Sequence, residues 1–115
     1  MITLYGIPNC GSVKKARDWL ERQDIAYEFH DFKKLGINQE TIQGWMKQVS
    51  WDVLVNKKGT TWRGLPDATK ESVTTAASAT KLMIASPSVI KRPVLCKGKT
   101  VLVGFDADTY EEHLA

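Results

Sequence analysis

The chain has little sulfur chemistry to distribute: two cysteines, Cys10 and Cys96, among 115 residues. Two cannot build a disulfide framework. With two scattered histidines, His30 and His113, they show none of the close spacing of a metal site, so no metal is expected. No apolar stretch approaches the roughly twenty residues that a membrane-spanning helix needs. No block of five or six like charges occurs, and a formal net charge of +3 is too mild to argue for nucleic acid. The first residues lack the basic region and long apolar segment of a secretory signal. Repeats, low-complexity stretches and linker-like segments are missing too. These absences predict a single domain over residues 1–115 in a reducing, cytoplasmic compartment, with no membrane and no direct nucleic-acid partner.

What the chain does have is one cysteine in an informative setting. Ile2 to Tyr5 form a short apolar run that reads as a strand, and Gly6-Ile7-Pro8-Asn9-Cys10-Gly11 punctuates its end as a loop. Val13, Ala16 and Leu20 then recur at helical spacing. Cys10 therefore stands where a strand turns into the first turn of a helix. Unpaired backbone N–H groups and the positive end of the helix dipole favour an anion there, and the thiolate is the nucleophilic form of cysteine. Lys14, Lys15 and Arg17, just downstream, are expected to push the thiol the same way. Cys10 is the candidate nucleophile, whereas Cys96, in the apolar triplet Val94-Leu95-Cys96, reads as buried packing.

Ile25, Tyr27 and Phe29 alternate with Ala26, Glu28 and His30 as a half-buried second strand should. Two strands around a helix predict a right-handed parallel unit. The middle of the chain reads as helical, with Asn38 capping a stripe of Ile42, Trp45, Met46 and Val49. Trp51 to Asn56 is ambiguous, and Lys57 to Pro66 reads as a polar loop holding Trp62 and Arg63. Asp67 is expected to cap a further helix whose apolar face, through Ala76, Ala79, Leu82 and Met83, runs to about Ala85. Ser86-Pro87 reads as a cap with proline at the first helical position. Val94 to Cys96 and Val101 to Val103 flank Lys97-Gly98-Lys99 as a hairpin, and Asp106 caps a last helix through Ala107, Tyr110 and Leu114. The order predicts an α/β fold with one mixed four-stranded sheet.

This order, with a cysteine after the first strand and Arg92-Pro93 just before the third, resembles the thioredoxin fold with a helical insertion between strands 2 and 3. More closely it resembles the arsenate reductase-like family that also contains the Spx regulators. The markers are Gly6 to Cys10 with Val13 to Ala16, then Asn56 to Arg63, Ser86 to Val94, and Val103-Gly104-Phe105, spread over nearly the whole chain. Within the family the likeness is to the small YffB-type proteins, which implies a glutathione-dependent thiol reductase. It also implies a cis Arg92–Pro93 bond whose backbone faces the thiol and pairs with a peptide-like substrate. Arg63 and Arg92 match two of the three arginines that arsenate reductases of the family use around the thiol. The third falls at Gly104, where no cation stands. Guanidinium supplies the planar, bidentate donors that an oxyanion or a glutathione carboxylate needs.

The second cysteine of a Cys-x-x-Cys pair would fall at Val13, so chemistry within this motif is monothiol. Cys10 would form a mixed disulfide, and an external thiol, glutathione or glutaredoxin, would complete the cycle. Asn9, Gly11, Ser12 and Lys14 join Arg63, Arg92 and Pro93 as the expected substrate- or glutathione-binding set. For Ser12 two roles stay open, hydroxyl donor to the Cys10 sulfur or helix cap. No bound cofactor is expected, glutathione entering as cosubstrate. One alternative is an arsenate reductase served by glutathione and glutaredoxin, which the missing third arginine disfavours. Another is an Spx-like regulator that binds the RNA polymerase alpha subunit, here without a Cys-x-x-Cys switch.

Overall fold

Alternation of apolar and polar residues along Ile2–Gly6 puts Ile2 and Leu4 on one side of a strand, and this strand (β1) organises the sheet. In the computed structural model, which describes residues 2–114, β1 is followed by α1 (Gly11–Arg22) and β2 (Tyr27–Asp31). Then come α2 (Phe32–Leu35), α3 (Gln39–Met46), α4 (Trp51–Leu54), α5 (Thr60–Arg63), α6 (Asp67–Ser72) and α7 (Ala76–Ala85). A 3-10 turn (Pro87–Val89), β3 (Val94–Lys97), β4 (Thr100–Val103) and α8 (Ala107–Leu114) complete the order. The strands form one mixed sheet in the order β2-β1-β3-β4. β1 and β2 run parallel, with Leu4 opposite Phe29, while β1 pairs with β3 and β3 with β4 in antiparallel fashion. This is the thioredoxin-like α/β arrangement, with the helical segment inserted in sequence between β2 and β3. The described residues fall into two compact units, residues 2–35 with 92–114 (the sheet unit) and residues 36–91 (the helical unit).

In the sheet unit, Val13, Ala16 and Leu20 of α1 are buried at the spacing of one helical face. Ala16 and Leu20 meet Ile2, Leu4, Leu95, Leu102 and the α8 residue Tyr110 in one apolar cluster. Trp19 and Phe105 pack edge-on against Tyr110, with ring centroids 5.6 and 4.9 Å away. A polar brace ties α1 to the edge strand β2: Arg17 Nε donates to the Tyr27 hydroxyl at 3.0 Å and its guanidinium lies 4.3 Å above the Phe29 ring. The second strand starts at Tyr27 rather than at Ile25. The Ile25 N–H is taken by the Leu20 carbonyl at 3.0 Å, after Asp24 adopts a left-handed φ of 56° that closes the helix. Asp106 caps α8 as expected, accepting the Asp108 N–H at 3.0 Å.

The helical unit departs from its sequence reading in three places. α3 ends at Met46, so Val49, the last residue of the expected stripe, lies beyond it. Lys57 to Pro66, expected as a loop, contains the one-turn helix α5. The single helix expected from Asp67 to Ala85 is two helices, and Asp67 is the first residue of α6 rather than its cap. The break has a local cause. Thr75 and Ser78 form a reciprocal capping box, so hydroxyls of a Ser/Thr-rich stretch take the backbone groups that a continuous helix would have used. Asn38 caps α3 as its sequence predicted, accepting the Thr41 N–H at 2.9 Å. An isolated antiparallel bridge, Val55 to Ile90, joins the end of α4 to the end of the 3-10 turn.

One contact in the sheet unit sets where α1 begins. A Cβ on Gly6 would meet Val13 Cγ2 at 2.7 Å, closer than real Cβ atoms approach, and Val13 is 0% exposed. Glycine therefore ends β1 because the first turn of α1 rests on it. Gly6→Ala is expected to cost about 1–3 kcal/mol by overpacking. Adding Val13→Ala should recover part of that loss, so the double variant is less destabilised than the sum of the singles in urea unfolding. Strict additivity would contradict the contact.

Candidate active site at the start of the first helix

Cys10 occupies the N-cap of α1, with extended backbone angles (φ −98°, ψ 129°) and its carbonyl accepting the Lys14 N–H at 3.0 Å. The Gly/Pro/Asn segment before it brings the chain off β1 and lets the helix start at Gly11. At an N-cap the side chain faces the free N–H groups of the second and third helical residues, here Ser12 and Val13. The thiol makes no capping hydrogen bond in the ordinary range. These donors bear on the anion instead.

The Cys10 thiol is half-buried, and burial alone, the largest single influence, pushes its pKa up. The Val13 N–H, a hydrogen bond from the Arg92 guanidinium, the Ser12 N–H and the Arg92 charge act against it and together hold the thiol below its ordinary value. The cation among these causes is Arg92, contributed by a distant part of the chain, rather than Lys14, Lys15 or Arg17. That corrects the expectation that the neighbours in sequence activate the thiol. Lys14 and Lys15 are exposed ammonium groups screened by water, and the Arg17 guanidinium is engaged with Tyr27 and Phe29 instead.

Arg92 is half-buried and precedes Pro93, which is fully buried; the bond between them is cis. The Pro93 carbonyl accepts the Gly104 N–H at 2.8 Å, one step beyond the Val94–Val103 pair that ends the β3–β4 ladder. Gly104 has φ 80°, a left-handed conformation that side chains strongly disfavour. The position where a third arginine would fall is thus set by backbone shape.

Cys10, Ser12, Val13 and Arg92 come together in the sheet unit. Ser12 acts on the sulfur through its N–H, and the capping position is that of Cys10 itself, so neither role expected for its hydroxyl describes it. Asn9, Gly11 and Lys14 flank the thiol as exposed residues. Arg63 lies in the helical unit, exposed at the end of α5, and its carbonyl accepts from Lys70 Nζ at 3.0 Å. Trp62 in the same unit is half-buried, and Lys57 Nζ sits 5.6 Å from its ring centroid and 5.5 Å from that of Trp51. Cys96 is half-buried rather than buried, on β3 between Thr3 and Val101, and neither cysteine is in a disulfide. Its register puts it on the sheet face opposite Leu4, Leu95 and Leu102. There burial first, then Cys96, then Glu28 push the Tyr5 phenol up. Among the described residues no group of three His, Cys, Asp or Glu is placed to hold a metal, and no helix is long and apolar enough to cross a membrane. The Gly6 seat for Val13 went unread in the sequence. The family resemblance places Arg92 near the thiol, but the sequence reading assigns the activation of the sulfur to Lys14, Lys15 and Arg17 instead.

The profile of the ArsC family matches residues 5–113, and the chain belongs to that family. A solved structure of a protein named YFFB is 45% identical, covers 100% of both chains and superposes with a TM-score of 0.95. An arsenate reductase (ArsC) related protein from Brucella melitensis is 47% identical over 97% of this chain and 92% of its own, with a TM-score of 0.75. The global transcriptional regulator Spx of Streptococcus agalactiae is 28% identical over 94% of this chain and 79% of its own length. The chain is therefore an arsenate reductase-like protein whose relatives include both proteins named for an enzyme and transcriptional regulators.

The electrostatics make two linked expectations. Alkylation of Cys10 by iodoacetamide across pH should show a midpoint below that of an ordinary thiol, and Arg92→Ala should raise it more than Lys14→Ala does. A thiol whose folded-state pKa lies below its unfolded value contributes stability that is full above the unfolded value and is lost as pH falls through the folded one. The stability advantage of the native chain over Cys10→Ser should accordingly shrink as pH falls below the ordinary thiol range of about 8.5. A gap that widens toward low pH would contradict the sign.

Proposed function

We propose that this ArsC-family chain is a glutathione-dependent thiol reductase with a monothiol mechanism, Cys10 being the nucleophile. The observation that carries this reading is the half-buried thiol held below its ordinary pKa by Arg92 and two helix N–H groups. The Cys10 thiolate attacks one sulfur of a disulfide, forms a mixed disulfide and expels the other sulfur as a thiolate. A glutathione thiolate then attacks the substrate-derived sulfur, regenerating the Cys10 thiolate and leaving the substrate as its glutathione mixed disulfide, which further glutathione or glutaredoxin reduces. Val13, buried where a resolving cysteine would stand, supports the need for an external thiol. Arg92 and the main chain around Pro93 form the proposed binding face for a peptide-like cosubstrate, with Asn9, Gly11, Ser12 and Lys14 at its rim. Arg63 enters this reading from the sequence resemblance alone. The proposed compartment is the cytoplasm, where glutathione is reduced.

Arsenate turnover is a weaker reading of the same site. A tetrahedral oxyanion approaching a thiolate needs enough fixed donors to hold two negative partners, and a charge-assisted hydrogen bond contributes roughly 1.5–3 kcal/mol net. Two such bonds from a missing third arginine are worth a few kcal/mol, or roughly a hundredfold or more in rate. The φ of 80° at Gly104 opposes supplying that arginine by substitution. A regulator that binds the RNA polymerase alpha subunit is the second reading, favoured by the likeness to Spx over 94% of the chain. Such binding needs no thiol switch.

Incubation with oxidised glutathione followed by intact-mass analysis tests the leading reading. One glutathione adduct on Cys10 is expected, absent in Cys10→Ser and retained in Cys96→Val. With glutathione and glutaredoxin supplied, arsenate reduction should be negligible. Absence of the adduct, or loss of thiol turnover in a folded Cys96→Val protein, would refute the monothiol scheme. Robust arsenate turnover would favour the arsenate reductase reading, and recovery of the polymerase alpha subunit by the Cys10→Ser protein would favour the regulator.

A further inference from the structure

Gly104 is the residue of this unit whose backbone shape and hydrogen bond converge on the thiol's partner. Pro93 has no N–H, so its carbonyl is the one main-chain group it can offer to a neighbouring strand. That carbonyl is held by Gly104 N at 2.8 Å, beyond the last regular pair of the β3–β4 ladder. Gly104 then turns the chain with φ 80°. The turn delivers Phe105, whose ring packs edge-on 4.9 Å from Tyr110 of α8, in the core of the unit. A residue with a Cβ would be strained in this conformation, and relaxing toward negative φ would swing either the N–H away from Pro93 or Phe105 away from Tyr110. Arg92 is bonded directly to Pro93, and its guanidinium is the side chain that donates to Cys10.

We propose that Gly104 is a positioning residue for the Cys10 thiolate: its left-handed backbone and its hydrogen bond to the Pro93 carbonyl hold Arg92 where the guanidinium reaches the sulfur. This deepens the reading of Cys10 as the nucleophile and rests on the Cys10–Arg92 pair, independently of which disulfide is the substrate. It also accounts chemically for glycine at the place of a third cation. At this turn a side chain would disturb the cation that Cys10 already has.

The test follows Cys10 alkylation against pH, with the modified site mapped by mass spectrometry. Gly104→Ala should raise the Cys10 midpoint by about half to one unit, so that alkylation slows about three- to tenfold at any pH well below the native midpoint. Gly104→Asn, which tolerates left-handed backbone, should shift it less. Gly98→Ala is the control, since Gly98 also has a positive φ (57°) in the same hairpin but makes no bond to Pro93; it should leave the midpoint unchanged even if it costs similar stability. In an Arg92→Ala background, Gly104→Ala should add nothing further to the midpoint. An unchanged midpoint in folded Gly104→Ala, an equal shift in Gly98→Ala, or full additivity with Arg92→Ala overturns the proposal. Should the alanine chain not fold, Gly104→Ser, whose side chain suits left-handed backbone less than asparagine does, is read against Gly98→Ser: a rise confined to position 104 supports it, and equal midpoints overturn it. A native protein whose Cys10 titrates as an ordinary thiol would instead remove the nucleophile reading itself, which separates the two failures.

Discussion

A half-buried thiolate persists only where the donors facing it outweigh the water it has lost, and that balance at Cys10 organises the sheet unit. Burial is the largest single influence on this sulfur and works against ionisation. Two helix N–H groups and one guanidinium reverse the sign, each supplied by a different structural device. The N–H groups exist because α1 starts at Gly11, and it starts there because Val13 seats on a strand that ends in glycine. The guanidinium arrives because β3 runs beside β1 and carries Arg92 and Pro93 to the same end of the sheet.

The backbone around the site is accordingly made of residues chosen for conformation more than for chemistry. Gly6 permits a close approach, the Gly/Pro/Asn loop frees the thiol from the strand, and Gly104 turns the chain while bonding Pro93. Chemistry is concentrated in two side chains, Cys10 and Arg92.

Family membership leaves the choice of activity to the site, since the relatives span proteins named for arsenate reductase and a transcriptional regulator on one fold. The feature of this chain that bears on the choice is the apolar side chain at position 13. It is part of the core, at 0% exposure, and anchors the helix that activates the neighbouring sulfur. A resolving thiol and this anchoring contact compete for one position, and here the packing role holds it.

Periodicity, turn residues and caps are local properties, so the sequence by itself determined the strand–helix–strand start, the hairpin, the Asn38 and Asp106 caps and the position of Cys10 at a helix N-terminus. It misjudged Lys57 to Pro66 and the continuity of Asp67 to Ala85, where hydroxyl capping competes with helix propensity over a few residues and by small energies. The family resemblance, rather than spacing, pointed to the cis bond before Pro93 and to Arg92. Only the tertiary structure decided which cation serves the thiol. Lys14, Lys15 and Arg17 are near Cys10 in sequence, but Arg92 is the one whose donors reach the sulfur, because charge interaction depends on distance and geometry in space, and strand pairing sets these.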